Sequence, residues 1–308
     1  MSTRERTTPT ARAARPGRPR RLGLFGLTPY LFLAPAFVVY ATFLLYPLGR
    51  AAQISLYDWD GLTLATFVGL ENYVDVVTDP RLREAFWHAL VLIFFFAVLP
   101  VAIGLVLSAV LVRGRVRGLP FFRTVVFLPQ VVAMVVVAVA WRQIYAPDGT
   151  LNTALEAIGL GALTRAWLGD FTWTLPAVGF VGTWVCTGLV TVLLMAGMAR
   201  IPNDLYEAAT LDGAGAVRSF FAISVPAVRA EIVVSLTLTI IAALKTFDLV
   251  YVTTSGGPGT STTVPSYVVY RRAFMEGDVG SAAAVAIVLT ALIFLINLAV
   301  NLIGERER

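Results

Sequence analysis

Long hydrophobic runs separated by short polar segments dominate this chain of 308 residues. Five of the runs contain no Asp, Glu, Lys or Arg over 18 to 29 residues. A helix of about 20 apolar residues crosses about 30 Å of hydrocarbon, so each run is long enough, or nearly so, to span a membrane. The five charge-free runs are residues 22–49, 85–112, 124–141, 171–199 and 279–304.

A sixth run begins after Glu231 and meets Lys245 and Asp248 before it ends near Val252. Residues 232–244 within it are hydrophobic on every side, as expected of a helix that is buried all round. We therefore predict six transmembrane helices. Their predicted bounds are about 25–49, 87–112, 121–142, 173–198, 230–252 and 280–303.

The composition agrees with this pattern. Hydrophobic residues make up 57% of the chain and charged residues only 14%, which leaves too little polar surface for a water-soluble domain of this length. The fold predicted is therefore an all-α integral membrane protein. Residues 24–304 form its transmembrane domain, residues 1–23 a basic tail and residues 305–308 a short end.

Basic residues are distributed unevenly between the polar segments. The N-terminal tail, the segments after spans two and four, and the C-terminus hold 16 of the 24 Lys and Arg residues, against seven in the other three loops. Cytoplasmic loops carry the excess of Lys and Arg, so both termini are predicted to be cytoplasmic. A basic tail is also compatible with nucleic-acid binding, but beside a spanning helix it favours anionic lipid, and no nucleic-acid partner is expected.

Few side chains in this sequence could catalyse a reaction or bind a metal ion. Cys186 is the only cysteine and His88 the only histidine, which excludes a disulfide within the chain and a cysteine-based metal cluster. The only lysine, Lys245, follows Leu244 inside a hydrophobic run, whereas a phosphate-binding P-loop needs a lysine directly after glycine. The sequence therefore predicts neither an enzyme nor a bound metal or cofactor.

The polar segment 201–226, between spans four and five, is the most informative part of the sequence. Pro202 and Asp204 are typical of a helix start, and Asp212-Gly213 interrupts the helical pattern. A second short helix is predicted to follow and to end at Pro226. The prediction is two short helices bent at residues 213–215, on the cytoplasmic side.

The side chains of this segment suit a docking element. Alanines beside Leu205 allow a partner surface to approach closely, and the aromatic pair in the second half is expected to pack under the bilayer against the chain's own helices. An ordinary amphipathic loop at the membrane surface is the alternative interpretation. The residues concerned are Leu205, Ala208 and Ala209 on one face, and Phe220, Phe221 and Ile223 in the second half.

The order of residues in this segment resembles the coupling motif of permeases from binding-protein-dependent ABC importers. In that family the short helix inserts into a cleft of the ATP-hydrolysing subunit, and Glu207 would hold it there through charge-assisted hydrogen bonds. The coupling residues implied by the resemblance are Glu207, Ala208, Ala209, Asp212, Gly213, Phe221, Ile223 and Pro226. Val225 departs from the family's usual leucine before the proline, and a proline often found a few residues later is absent.

Further motifs are similar to the carbohydrate branch of the same family. They are Tyr46-Pro47 at the end of span one, residues 69–73 in the first outer loop, Phe127-Leu128-Pro129 in span three and residues 256–259 after span five. Together they resemble the first of the two permease types that are paired in sugar or glycerol-phosphate importers.

The resemblance implies alternating access powered by other subunits. The implied partners are a second homologous permease, two copies of an ATP-binding subunit that binds the ATP, an extracytoplasmic solute-binding protein, a sugar-like solute and membrane lipid. The implied location is the cytoplasmic membrane of a bacterium or archaeon. An ion-coupled secondary transporter is the alternative, but such proteins place carboxylates near the middle of their spans, and this chain has none there.

Two groups of residues leave alternatives open. Lys245 and Asp248, three positions apart on one helical face, either line the solute path or form a structural ion pair. Trp141, Trp173 and Trp184 either stack on sugar rings or lie at membrane interfaces and in packing.

Overall fold

The computed structural model describes residues 28–114 and 118–305, so the predicted tail 1–23 and residues 306–308 lie outside the described residues. The chain divides into two compact units, one up to Gly49 and one from Arg50 onward. In the first unit, α1 (Thr28–Tyr40) continues through a π-helical turn, Ala41–Leu45, into α2 (Tyr46–Ile54), which crosses the boundary. This helix corresponds to predicted span one.

The second unit opens with a small hairpin. Strands β1 (Tyr57–Asp58) and β2 (Thr66–Phe67) are antiparallel, with Tyr57 opposite Phe67. The carboxylate of Asp60 accepts hydrogen bonds from the backbone N–H groups of residues 62 and 63 at 2.8 and 2.7 Å, which lowers the pKa of that carboxyl. The connecting turn is therefore ordered by a local side-chain bond.

Span two begins earlier than predicted. After α3 (Glu71–Thr78), a continuous helical segment runs through α4 (Pro80–Ile93), a π-helical turn at Phe94–Val98, and α5 (Leu99–Arg113). The start lies at Pro80 instead of residue 87 because Asp79 caps the helix: its carboxylate accepts the N–H of Arg81 at 2.8 Å. The same carboxylate lies 3.2 Å from the guanidinium of Arg272.

Predicted span three is not one straight helix. Residues 121–142 fall on α6 (Leu119–Val131) and α7 (Met134–Ile144), whose axes are bent by 97°. Val132 and Ala133 between them have extended backbone. Pro129 lacks a backbone N–H and removes one hydrogen bond from the last turn of α6, which favours an end to the helix at this point.

Span four agrees closely with the prediction. After α8 (Thr150–Ala157) and a 3₁₀ turn at Gly161–Leu163, α9 runs over Thr174–Met198, against the predicted 173–198. Gly188 on this helix faces α6 so closely that a Cβ there would overlap the carbonyl oxygen of Val126. Small residues at helix contacts allow such close approach in membrane proteins.

Span five ends earlier than predicted. α13 covers Arg229–Leu244, and the chain then leaves the helix before the short α14 (Asp248–Thr253), so the predicted helix 230–252 is interrupted. Arg200 and Glu231 form an ion pair that joins the end of span four to the start of α13. The remaining helices are α15 (Pro265–Arg271), extended by a π-helical turn at Arg272–Glu276, and α16 (Val279–Glu305), close to predicted span six.

Among the described residues, four helices are long and apolar enough to cross a membrane, or up to six if each of two bent pairs counts as one span. One bent pair is α6 with α7; the other joins the helical segment 216–227 to α13 at 70°. In the second unit, the largest cluster of buried side chains lies where spans two and four meet α7 and α14. The packed core thus joins α7 and α14 to spans two and four.

Candidate functional site

The polar segment 201–226, here called the coupling segment after the motif that it resembles, forms the bent helix pair that its sequence predicts. α10 covers Asn203–Leu211, with Asp204 in its first turn. Gly213 adopts φ +77°, a conformation that favours glycine, and the N–H of Ala214 bonds to the carbonyl of Ala209 at 2.8 Å to close the helix end. The prediction of two short helices separated around residues 213–215 is confirmed.

The second half runs further than predicted. It consists of α11 (Ala216–Ser219), a π-helical turn at Phe220–Ser224, and α12 (Val225–Ala227). Pro226 lies within this helix and does not end it. The reason is its place at the start of α12, directly after the π-helical turn, where a missing N–H is tolerated.

The first half presents a polar and apolar surface that is open to a partner. Glu207, Ala208 and Asp212 are exposed, while Ala209 is half-buried. Leu211 is 90% exposed at the end of α10. α10 therefore exposes a carboxylate, small alanine side chains and a leucine side chain. This composition suits a docking surface, because alanine lets the backbone of another protein approach closely.

Of the two adjacent phenylalanines in the second half, one faces the protein interior and the other is exposed. Phe220 packs against a buried cluster that includes Val190, Leu194 and Val228. Ile223 is half-buried, but Phe221 is 65% exposed, so the expectation that Phe221 packs against the chain's own helices is wrong. Adjacent residues on a helix point in different directions, and only one of the two phenylalanines can face inward.

Tyr206 is a functional candidate that sequence reasoning missed. The guanidinium of Arg113, at the end of span two, lies 3.2 Å from the centre of the tyrosine ring. The tyrosine hydroxyl lies 2.9 Å from the hydroxyl of Ser224, which is fully buried. Tyr206 therefore joins α10 both to span two and to the second short helix, and its position beside Glu207 is the only signal that the sequence carries.

Lys245 and Asp248 do not share a helical face. Lys245 lies at the C-terminal end of α13, and Asp248 begins α14 after a break at Thr246-Phe247. Both residues are exposed, and the structure forms no ion pair between them. The structural ion pair is therefore not present, because the helix on which it depends ends at Leu244.

Three tryptophans that are distant in the sequence meet in one cavity. Trp141, Trp173 and Trp184 line a space of about 730 Å³ together with Trp167, and the rings of Trp141 and Trp184 meet edge to face with centres 5.6 Å apart. Their association follows from the bend in span three, which swings α7 away from the axis of α6.

The two residues with potential for chemistry lie apart. Cys186 is buried within α9. His88 is buried rather than interfacial, and its Nδ1 lies 2.9 Å from the carbonyl oxygen of Thr263. Within residues 28–114 and 118–305, no group of three His, Cys, Asp or Glu side chains is placed to hold a metal ion.

Several helices long and apolar enough to cross a membrane, together with an exposed bent helix pair, define the class of multi-pass membrane proteins. The chain belongs to the family of binding-protein-dependent transport system inner membrane components, whose profile matches residues 11–308. It is 40% identical over 279 residues, 90% of this chain and 94% of the relative, to the probable ABC transporter permease protein YurN of Bacillus subtilis.

Two further comparisons agree. The diacetylchitobiose uptake system permease protein NgcF of Streptomyces coelicolor is 36% identical over 308 residues, covering 92% of this chain and 87% of that protein. The crystal structure of a bacterial alginate ABC transporter, in complex with alginate pentasaccharide-bound periplasmic protein, has a chain with TM-score 0.75 and 22% identity, covering 91% of this chain and 94% of that chain. The latter likeness establishes the fold.

The chain is therefore the permease of a binding-protein-dependent ABC importer and a multi-pass protein of the inner membrane. Membership of this family makes it a component of a transport pathway rather than an enzyme. It also places the chain among importers powered by ATP rather than among ion-coupled secondary transporters.

Proposed function

We propose that this chain forms half of the solute pathway of a carbohydrate importer in the cytoplasmic membrane of a bacterium or archaeon. The other half is a second, homologous permease, and two copies of an ATP-binding subunit drive the pair. The observation that carries the proposal is the bent helix pair of residues 203–227, which leaves Glu207, Ala208, Leu211 and Phe221 exposed.

A sugar or an oligosaccharide is the solute we propose. NgcF is named for diacetylchitobiose uptake, and the alginate transporter structure contains a periplasmic protein bound to an alginate pentasaccharide. An extracytoplasmic binding protein would deliver the sugar in the same way. The hairpin of the first loop offers a surface for it, because Leu62 and Leu64 are 93% and 96% exposed beside the turn that Asp60 orders.

The topology we propose has six spans and both termini in the cytoplasm. The four long helices, the bent pair of α6 and α7, and α13 supply six crossings, and the distribution of arginines supports this orientation. The coupling segment then lies on the cytoplasmic side, where an ATP-binding subunit can reach it.

ATP binds to that partner subunit, and closure of the partner moves α10. Glu207 anchors the helix through charge-assisted hydrogen bonds, while Ala208 and Ala209 permit close contact. Gly213 allows the bend, and Phe221 extends the docking surface. Tyr206 then transmits the displacement to span two through Arg113.

Lys245 and Asp248 are proposed to face the solute path or the second permease. Both charges are exposed at the interruption of span five, and an ionisable group at membrane depth is stable only beside water, protein or another charge. A path that carries a polar sugar meets this requirement.

Purification and reconstitution test the proposed function. The chain is co-expressed with the second permease, the ATP-binding subunit and the binding protein encoded beside it, and is purified through a tag on the chain itself. We expect the ATP-binding subunit to co-purify and proteoliposomes of the complex to take up radiolabelled oligosaccharide only with ATP and the binding protein. Uptake by the chain alone, driven by an ion gradient, would contradict the proposal.

Tyr206 provides a test of transmission within the chain. We expect Tyr206→Leu to reduce the solute-stimulated ATPase rate about tenfold, because it removes a cation–π contact and a hydrogen bond that are each worth about 1 kcal/mol. Tyr206→Phe keeps the ring under Arg113 and should cost less. In a double-mutant cycle, Arg113→Gln should add little to Tyr206→Leu; fully additive losses would show that the two residues act separately.

A further inference from the structure

An aromatic cavity lies beside span three. It lies between α5, α6, α7 and α9, in the angle that the 97° bend opens. Its wall is almost entirely apolar, with the rings of Trp141, Phe180 and Trp184 facing aliphatic side chains such as Leu107 and Val125. A wall of this composition at membrane depth does not favour water.

Some polar groups of the wall are used within the protein, whereas the indole N–H groups of Trp141, Trp173 and Trp184 form no hydrogen bond with the described residues. The hydroxyl of Tyr145 donates to the carbonyl of Ala177 at 3.1 Å. The indole N–H of Trp167 donates to the side-chain oxygen of Asn152 at 2.8 Å, and the hydroxyl of Thr183 donates to the carbonyl of Phe95 at 2.6 Å.

This pattern disfavours a sugar in the cavity. A sugar would have to leave water and would find rings to stack on and indole N–H donors, but no carboxylate or amide side chain in the wall to accept hydrogen bonds from its hydroxyls. The occupant is therefore apolar along most of its length.

The length of the cavity matches one leaflet of a membrane. From Pro176 to Thr187 the wall follows α9 for about 16 Å at the helical rise of 1.5 Å per residue, and half of the hydrocarbon core is about 15 Å thick.

A cationic group lies at the loop end of the cavity. The guanidinium of Arg165 lies 4.5 Å from the ring centre of Trp173 and 5.2 Å from that of Trp167. Its Nε donates to the carbonyl of Leu163 at 3.2 Å, and no protein acceptor for its two Nη atoms is found in the described part of the chain. Tryptophan and arginine in this arrangement are typical of the membrane interface, and guanidinium binds phosphate well.

Asp170 orders the backbone of the loop at this end of the cavity. Its carboxylate accepts hydrogen bonds from the backbone N–H groups of Thr172 and Trp173 at 2.7 and 3.0 Å, which lowers its pKa. The carboxylate is held by the backbone and is also attracted by the charge of Arg165. Arg165 makes no hydrogen bond to it, so the Nη donors of Arg165 remain open to an external anion in the described part of the chain.

We propose that the cavity binds a membrane phospholipid. One acyl chain lies along α9 against Trp141 and Trp184, and the phosphate of the headgroup pairs with Arg165. The lipid belongs to the leaflet on the side of the loop 145–173. This site would hold the bent span three in place by filling the angle between α6 and α7, and it requires only that the chain lies in a membrane.

Native mass spectrometry of the purified complex tests the site, with palmitoyl-oleoyl-phosphatidylglycerol as the probe. We expect the delipidated complex to bind one such lipid tightly at this position. Val125→Trp fills the cavity from a side chain that is 49% exposed, and Arg165→Gln removes the charge outside the spans. Each should weaken this binding at least tenfold, because the first removes space for the acyl chain and the second removes a charge-assisted hydrogen bond to the phosphate.

Matched controls use the same substitutions elsewhere. Leu295→Trp lies on α16 at a side chain that is 60% exposed, and Arg83→Gln removes another exposed arginine near the start of span two. Both should leave the lipid bound. Equal lipid retention in Val125→Trp and Leu295→Trp, or displacement of the lipid by maltose, would overturn the proposal. Because lipid is counted directly, the result does not depend on whether the complex transports sugar.

Discussion

Replacement of Glu207 by alanine should uncouple this permease from its ATP-binding subunit. Glu207 is exposed on α10, and no hydrogen bond to it from elsewhere in the described chain competes with a partner. A charge-assisted hydrogen bond is worth about 1.5–3 kcal/mol, so the affinity of the ATP-binding subunit should fall roughly 10- to 100-fold. The measurement is the dissociation constant of the purified subunit for the permease pair, together with the rate of ATP-driven uptake.

The controls separate docking from folding. Glu207→Gln keeps two hydrogen-bonding oxygen lone pairs without the charge and should lie between the wild type and the alanine variant. Glu156→Ala removes an exposed carboxylate from α8, which is predicted to lie on the other side of the membrane, and should leave both readouts unchanged. If Glu207→Ala assembled normally and kept transport-coupled ATP hydrolysis, Glu207 would not have the proposed role.

Gly188→Val should prevent the correct folding of the transmembrane domain. A side chain at this position meets the backbone carbonyl of Val126, which cannot rotate away as a side chain can. Overpacking in a well-packed core costs about 1–3 kcal/mol and more where backbone must move, so α9 and α6 would separate. We expect a large decrease in the melting temperature in detergent, and loss of the monodisperse species in size-exclusion chromatography.

Gly49→Val is the matched control because nothing lies within 4 Å of a Cβ at Gly49. It should elute and melt like the wild type. Gly188→Ala should be intermediate, since a single methyl group still meets the same carbonyl. A normal melting temperature for Gly188→Val would contradict the close contact between α6 and α9 at this position.

Much of the fold follows from periodicity and charge. The bounds of span four could be predicted because the run 171–199 contains no charged residue that would interrupt a spanning helix. The bounds of α16 could be predicted for the same reason. The bend of the coupling segment could also be predicted, since Gly213 adopts a positive φ that few other residues tolerate. These features depend on local sequence alone.

Other features depend on contacts that a sequence does not display. The break after Pro129 was not predicted because proline is tolerated inside many transmembrane helices, and only the surrounding packing decides whether the helix ends. The early end of α13 likewise removed the expected pairing of Lys245 with Asp248. Tyr206 was missed because its partners, Arg113 and Ser224, are distant along the chain.

The place of Trp141 and Trp184 in the fold does not by itself give their role. A stacking role for Trp141 and Trp184 was one of two interpretations of the sequence, and the structure does bring their rings together. The lack of any carboxylate or amide side chain among the residues that line the cavity disfavours a sugar there. Only the coordinates reveal which polar groups are already occupied.

The helical segment from Pro80 to Arg113 has 34 residues and is about 50 Å long, some 20 Å longer than the hydrocarbon core. One end is fastened by Asp79 to Arg272, and the other meets Tyr206 of the coupling segment. A single rod therefore connects both faces of the membrane, with the π-helical turn at Phe94–Val98 as an irregular step within it. In the proposed importer, binding-protein docking on one face and closure of the ATP-binding subunit on the other would act on opposite ends of the same helix.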